Sequence, residues 1–173
     1  MNADTIARRI VEDARKAAQE AVDAANARAD EDAARQRENA LRMAELDQRK
    51  ALLAMKREMI DSAFAQALEA LIAMPVEQAR AVNMRLLLDA AEGEMELVVA
   101  QADEAIFSAE FLAEANRNLA AKGARVRLAA QRKPARGGFI LRRGGMEISC
   151  EYAALVAQVR PLWEADVAQM LFQ

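Results

Sequence analysis

Apolar and polar residues alternate along the first 74 positions with helical spacing, and neither glycine nor proline interrupts them; Pro75 is the first proline and Gly93 the first glycine. Alanine recurs at every eleventh position, at Ala7, Ala18, Ala29, Ala40 and Ala51, followed by Ser62 and Ala73. A second column four residues on reads Val11, Val22, Ala33, Ala44 and Met55. An 11-residue repeat predicts a right-handed supercoil rather than the left-handed one of a heptad. One uninterrupted helix of this span would reach about 100 Å at the α-helical rise. Residues 23–40 (DAANARADEDAARQRENA) contain eight charged residues and nothing more apolar than alanine, so they cannot nucleate a core. A lone helix is marginal in water, so the stripe is expected to face another chain. A single solvated helix and a helical hairpin are the alternatives, and the hairpin lacks a break before Pro75.

After Ala51 the apolar density rises through Leu52, Leu53, Met55, Met59, Ile60, Phe64, Leu68, Leu71 and Ile72, where the helix should begin to meet a globular body. Beyond Pro75 the period switches repeatedly. Residues 76–92 read as a helix, Met95–Ala100 as a strand, Asp103–Ala121 as a helix ended by Gly123, and Arg125–Ala129 as a strand. Gly138–Arg143 and Met146–Cys150 flank Gly144-Gly145, a tight-hairpin signal. Tyr152–Phe172 has helical spacing, and Pro161 inside it should kink or restart the helix. The expected architecture is α+β: a long N-terminal coiled-coil helix (1–74) followed by a small domain (75–173) of about four strands and three helices.

Composition sharpens this picture. Apolar residues make up 54% of the 173, but 42 are alanine and aromatics are only 4%, so the potential core is smaller than the percentage suggests. The sequence has no histidine and a single cysteine, Cys150. Triad hydrolysis, ordinary zinc sites, internal disulfides and CxxC chemistry are therefore disfavoured, and a reducing, cytoplasmic setting fits. The N-terminus has no signal-like apolar region, and no stretch approaches the roughly 20 apolar residues of a membrane span, so a soluble chain without membrane insertion is expected.

Candidate chemistry is sparse. GGFILRRGG matches neither phosphate-binding glycine pattern, and its glycines read as turn and strand-entry residues. Cys150, on the apolar side of a strand with Met146 and Ile148, reads as a small buried hydrophobe. No catalytic, cofactor or metal residue is assigned. Net charge is only −3, yet nine basic residues and no acid lie between Glu114 and Glu147: Arg117, Lys122, Arg125, Arg127, Arg132, Lys133, Arg136, Arg142 and Arg143. Nucleic-acid binding by this 117–143 segment is one reading, weakened because Phe139 is its sole aromatic. Docking on an acidic protein surface and a merely solvated face are the others.

Two segments carry a family resemblance: RKALLAMKREMIDSAFAQALEAL (49–71) and GGFILRRGGMEISCEYAALVAQVRPLWEADVAQMLF (137–172). With the alanine-rich helix before them, they resemble the E subunit of the V-type (A/V-type) rotary ATPases. The family's last strand is usually followed by a small polar residue and then an aromatic, whereas here Cys150, Glu151 and Tyr152 occupy this segment. The resemblance implies a non-catalytic peripheral-stalk component, a stator of a proton- or sodium-translocating ATPase, without cofactor, peripheral to the membrane on its cytoplasmic side. It implies three partners: a helical stalk subunit of the G/H type, the non-catalytic nucleotide-binding subunit of the head, and a membrane-sector subunit near the N-terminus. Ala7, Val11, Ala18, Val22, Ala29, Ala40 and Ala51 are then the expected partner-helix seam, and Arg132, Lys133, Arg136, Arg142 and Arg143 a candidate head contact. A stator-like regulator of a type III secretion ATPase shares the same outline, although the closing segment fits the rotary-ATPase family better.

Overall fold

The computed structural model describes residues 3–173, so the first two positions of the expected helical segment lie outside the described residues. The chain divides into two compact units, Met1–Met55 and Lys56–Gln173. The first helix, α1, covers Ala3–Ile72, 70 residues, and its last turns from Lys56 on belong to the second unit. Alanine and long straight side chains lose little entropy in a helix, which is why this composition sustains so long an element. It stops where Pro75 cannot continue it.

The second unit continues with α2 (Val76–Ala90), β1 (Glu94–Val98), a short 3₁₀ turn (Gln101–Asp103), α3 (Ala109–Ala120), β2 (Arg125–Leu128), β3 (Gly138–Arg143), β4 (Met146–Glu151) and α4 (Tyr152–Phe172). The strands form one sheet in the order β2-β1-β3-β4, with β1 and β2 parallel and the other pairs antiparallel. The α+β expectation therefore holds. Helices α2 and α3 cover one face, and Leu87, Leu97, Leu119, Val126, Phe139 and Leu141 are almost wholly buried between the layers. Phe107 packs edge-on against Phe111 and Phe139, with centroids 5.3 and 6.0 Å apart.

Three expectations need correction. The strand read as Met95–Ala100 spans Glu94–Val98, Ala100 making only an isolated bridge to Lys133. The helix read from Asp103 begins six residues later, because the buried Asp103 carboxylate is held in the preceding turn. It accepts hydrogen bonds from Gly137 N (2.7 Å) and Arg136 Nε (3.0 Å). The helix starts only after Ser108, whose Oγ accepts from Phe111 N at 3.3 Å. Finally, Pro161 does not restart α4, which runs through it unbroken. One missing amide is tolerated there because the helix is held on both sides of it. Arg160 pairs with Asp61 of α1 and lies 5.3 Å from the Phe64 ring centroid, and Lys56 Nζ sits 4.9 Å from that of Phe172.

Candidate interaction surfaces

Within the first unit every described side chain is exposed except Ala33, which is half-buried. The seven seam residues all lie on α1, and at 100° per residue they fall within a sector of about 80°. Val11 and Val22 are 53% and 52% exposed. Ile6, Ile10, Leu41, Met43 and Leu46 are also largely in water, so α1 carries apolar area that nothing inside this unit covers.

The basic interval looks different in space from its sequence. Arg132 pairs with Glu104 at 2.9 Å and also reaches the Ala129 carbonyl. Arg136 Nε meets Asp103 at 3.0 Å, and Arg142 Nε meets Glu147 at 2.7 Å. Arg143 donates to the Glu92 carbonyl at 2.8 Å. Lys133 is not on the surface: its side chain is 4% exposed, and Nζ donates to the carbonyls of Ala135 (2.6 Å) and Gly137 (3.3 Å) and to Glu151 (3.2 Å). All five candidate contact residues are thus engaged within the chain, by acids and carbonyls of which every acid lies outside the basic interval in sequence. Asp103 and Lys133 both reach Gly137, tying together the loops that follow the parallel strands β1 and β2, and each is completed by a partner that is less buried, Arg136 and Glu151.

On the face of the sheet opposite α2 and α3 a row of alternating charge crosses four strands. Glu96 is in register with Arg127 and Arg142, and Arg142 with Glu147. Arg127 and Glu96 are 2.8 Å apart. Exposed pairs of this kind contribute at most about 1 kcal/mol each, so they set register more than stability.

Residue reasoning alone did not single out the link between Asn83 and Tyr152. Both are buried, and Asn83 Nδ2 donates to the Tyr152 hydroxyl and to the Ala79 carbonyl, each at 2.8 Å, tying α4 to α2. The signal was present: Asn83 is a polar residue four positions before Leu87, on the buried stripe of α2. Burial raises the Tyr152 pKa above its ordinary value; the Asn83 hydrogen bond opposes that rise and the Asp103 charge adds to it. Gly137 and Gly138 close the same region. A Cβ on Gly138 would come within 2.1 Å of the Cys150 carbonyl oxygen, and its φ of +73° favours glycine in any case. Burial alone raises the Cys150 thiol pKa, which makes it a poor nucleophile.

A long helix with exposed apolar positions, attached to a small α+β domain whose polar groups are largely paired internally, defines a chain organised for association with other chains. Among the described residues no single helix is long and apolar enough to cross a membrane. The model of the ATP synthase (E/31 kDa) subunit family matches residues 1–172, and the chain belongs to that family. Similar curated proteins include the E subunit of the V-type proton ATPase of Thermoanaerobacter pseudethanolicus, 32% identical over 127 residues, 72% of this chain and 64% of that protein. The E subunit of the V-type ATP synthase of Clostridium novyi is 36% identical over 92 residues, 52% of this chain and 46% of its own. That of Clostridium botulinum strain Langeland is 32% identical over 128 residues, again 72% and 64%. The matched region therefore spans less than two thirds of the length of these relatives.

Proposed function

We infer that this chain is a non-catalytic subunit of a V-type rotary ATPase and acts in its peripheral stalk, as a stator that links the catalytic head to the membrane sector. The family match supports membership of the complex. The observation that carries the stator reading is α1: 70 residues of helix whose apolar stripe is exposed throughout the first unit. A stator resists torque by being stiff and firmly attached at its ends, and two helices packed along a right-handed seam resist bending better than one. The small residues of the seam allow close approach of a second backbone, so the partner expected along residues 7–51 is a helical stalk protein of the G/H type. In this reading Lys56–Gln173 is the part that meets the head through its non-catalytic nucleotide-binding subunit, and the N-terminal end approaches the membrane sector. The complex moves protons or sodium ions, and this chain lies peripheral to the membrane. Because five of the nine basic residues in the interval sit in internal ion pairs, the nucleic-acid reading is weakened.

Co-expression with the small helical stalk protein from the same gene cluster, followed by mass measurement of the purified complex, tests this reading. A 1:1 heterodimer is expected. A stable monomer that ignores such a partner overturns it.

A further inference from the structure

The two edges of the sheet are treated differently. In the parallel β1–β2 ladder, Arg125 N donates to Gly93 O at 2.8 Å and Ala129 N to Leu97 O at 2.9 Å, so the intervening Val126 turns its amide and carbonyl outward. Both are taken by one side chain of α3: Asn116 Oδ1 accepts from Val126 N at 2.8 Å, and Asn116 Nδ2 donates to Val126 O at 2.9 Å. The β2 edge is therefore blocked at Val126.

The β4 edge is not. A two-residue Gly144-Gly145 turn makes Arg143 and Met146 the first hydrogen-bonded pair of the hairpin, so Met146, Ile148 and Cys150 bond to β3. The same alternation, carried across β3 and β1, puts the odd-numbered residues of β1 on β2, as their bonds from Arg125 and Ala129 show. Glu147 and Ser149 consequently direct their backbone groups outward, and among the described residues nothing bonds to them. Both side chains are exposed.

We propose that the β4 edge is a docking site at which an extended segment of another protein adds as a fifth, antiparallel strand. Its chemistry follows from the flanks. On the helix-covered side the added strand would lie beside Met146, 41% exposed, and Ile148, so it presents apolar residues there. On the other side it would lie beside Glu147, whose Oε1 accepts from Arg142 while Oε2 has no partner among the described residues, so it presents a lysine or arginine there; Glu151 is already taken by Lys133 and Ser149. A second copy offers no basic residue to Glu147: pairing symmetrically about Ser149 sets it opposite the other copy's Glu151, and pairing about Ile148 sets it opposite Ser149. The proposal rests on the stalk reading and names the edge by which the domain grips the head.

Hydrogen–deuterium exchange resolved to single amides, on the full chain alone and within the purified ATPase, tests it. In the free chain the amides of Ile148 and Cys150 should be protected and those of Glu147 and Ser149 open. In the complex all four should be protected, with Glu147 and Ser149 slowed about 100-fold or more. Ser149→Pro removes an outward amide without touching the β3 ladder and should weaken head binding at least about tenfold, while Ser149→Ala leaves it unchanged. If Ser149→Pro melts the domain, the exchange pattern decides alone. A chain that joins the ATPase with both amides still open overturns this proposal and leaves the stalk reading standing. A chain that joins no ATPase overturns both, and protection of the two amides in an isolated homodimer overturns it in favour of a second copy.

Discussion

Tyr152 shows how much a single residue carries here. It is the chain's only tyrosine, it is buried, and its hydroxyl accepts the Asn83 amide that links α4 to α2. Its pKa is raised first by desolvation, with the hydrogen bond from Asn83 opposing and the Asp103 charge adding; the Cys150 thiol is raised by burial alone. The folded values thus lie above the unfolded ones, so the unfolded chain releases its protons first. Stability is full below the ordinary values of 9.0 for the thiol and 10.0 for the phenol and falls as pH climbs past them toward the folded values. Thermal melts taken upward from neutral pH should show this loss. Tyr152→Phe should destabilise the domain by about 1–3 kcal/mol at neutral pH, by leaving the Asn83 amide short of an acceptor, and should flatten the tyrosine part of the alkaline decline. With one tyrosine present, the ultraviolet phenolate signal reads this group directly. A midpoint at or below 10.0 in the folded chain would contradict the assignment.

At the level of elements, what periodicity carries was legible and what long-range bonds carry was not. The 11-residue alanine spacing and the absence of glycine before Gly93 gave α1, and the Gly144-Gly145 pair gave the β3–β4 hairpin. The start of α3 was misread because residues 103–108 have helical composition, and the turn there depends on Arg136 and Gly137 far along the chain. The basic interval was misleading for a similar reason. Its counter-charges Glu96, Glu104 and Glu151 lie outside it in sequence, and only folding brings them to Arg127, Arg132 and Lys133. The seam needs no such closure, since Val11 and Val22 share a helix face by spacing alone. Replacing both with Asp puts two charges where a partner helix would exclude water, and should weaken heterodimer affinity at least about tenfold while the chain's own helicity barely changes. Glu20→Lys, about half a turn away on the same helix, is the control and should leave affinity intact. Binding isotherms for both variants check the face; an unchanged affinity for the double variant would mean the partner lies elsewhere on α1.

Across the whole molecule the two units stand on different sources of stability. The second closes a core around Leu97, Phe139 and Leu141, and its loops are pinned by Asp103 and Lys133. Among the described residues the first buries nothing of consequence, so its helix rests on propensity and surface pairs such as Arg42–Glu38, each worth a few tenths of a kcal/mol. A helix so supported opens locally at small cost, and arginine recurs along it at Arg28, Arg35, Arg37 and Arg42, giving trypsin many sites. Brief digestion of the chain alone should therefore remove the Met1–Met55 region and leave a resistant fragment starting near Lys56. That fragment should still melt cooperatively, while the helical signal lost with the first unit declines gradually on heating in the intact chain. Adding the helical partner should protect the arginines of residues 7–51 and sharpen the helical melt, because burial of the seam then supplies what propensity lacks. If the first unit resists trypsin without any partner, its stability has another source, and the case for an obligatory second helix fails with it.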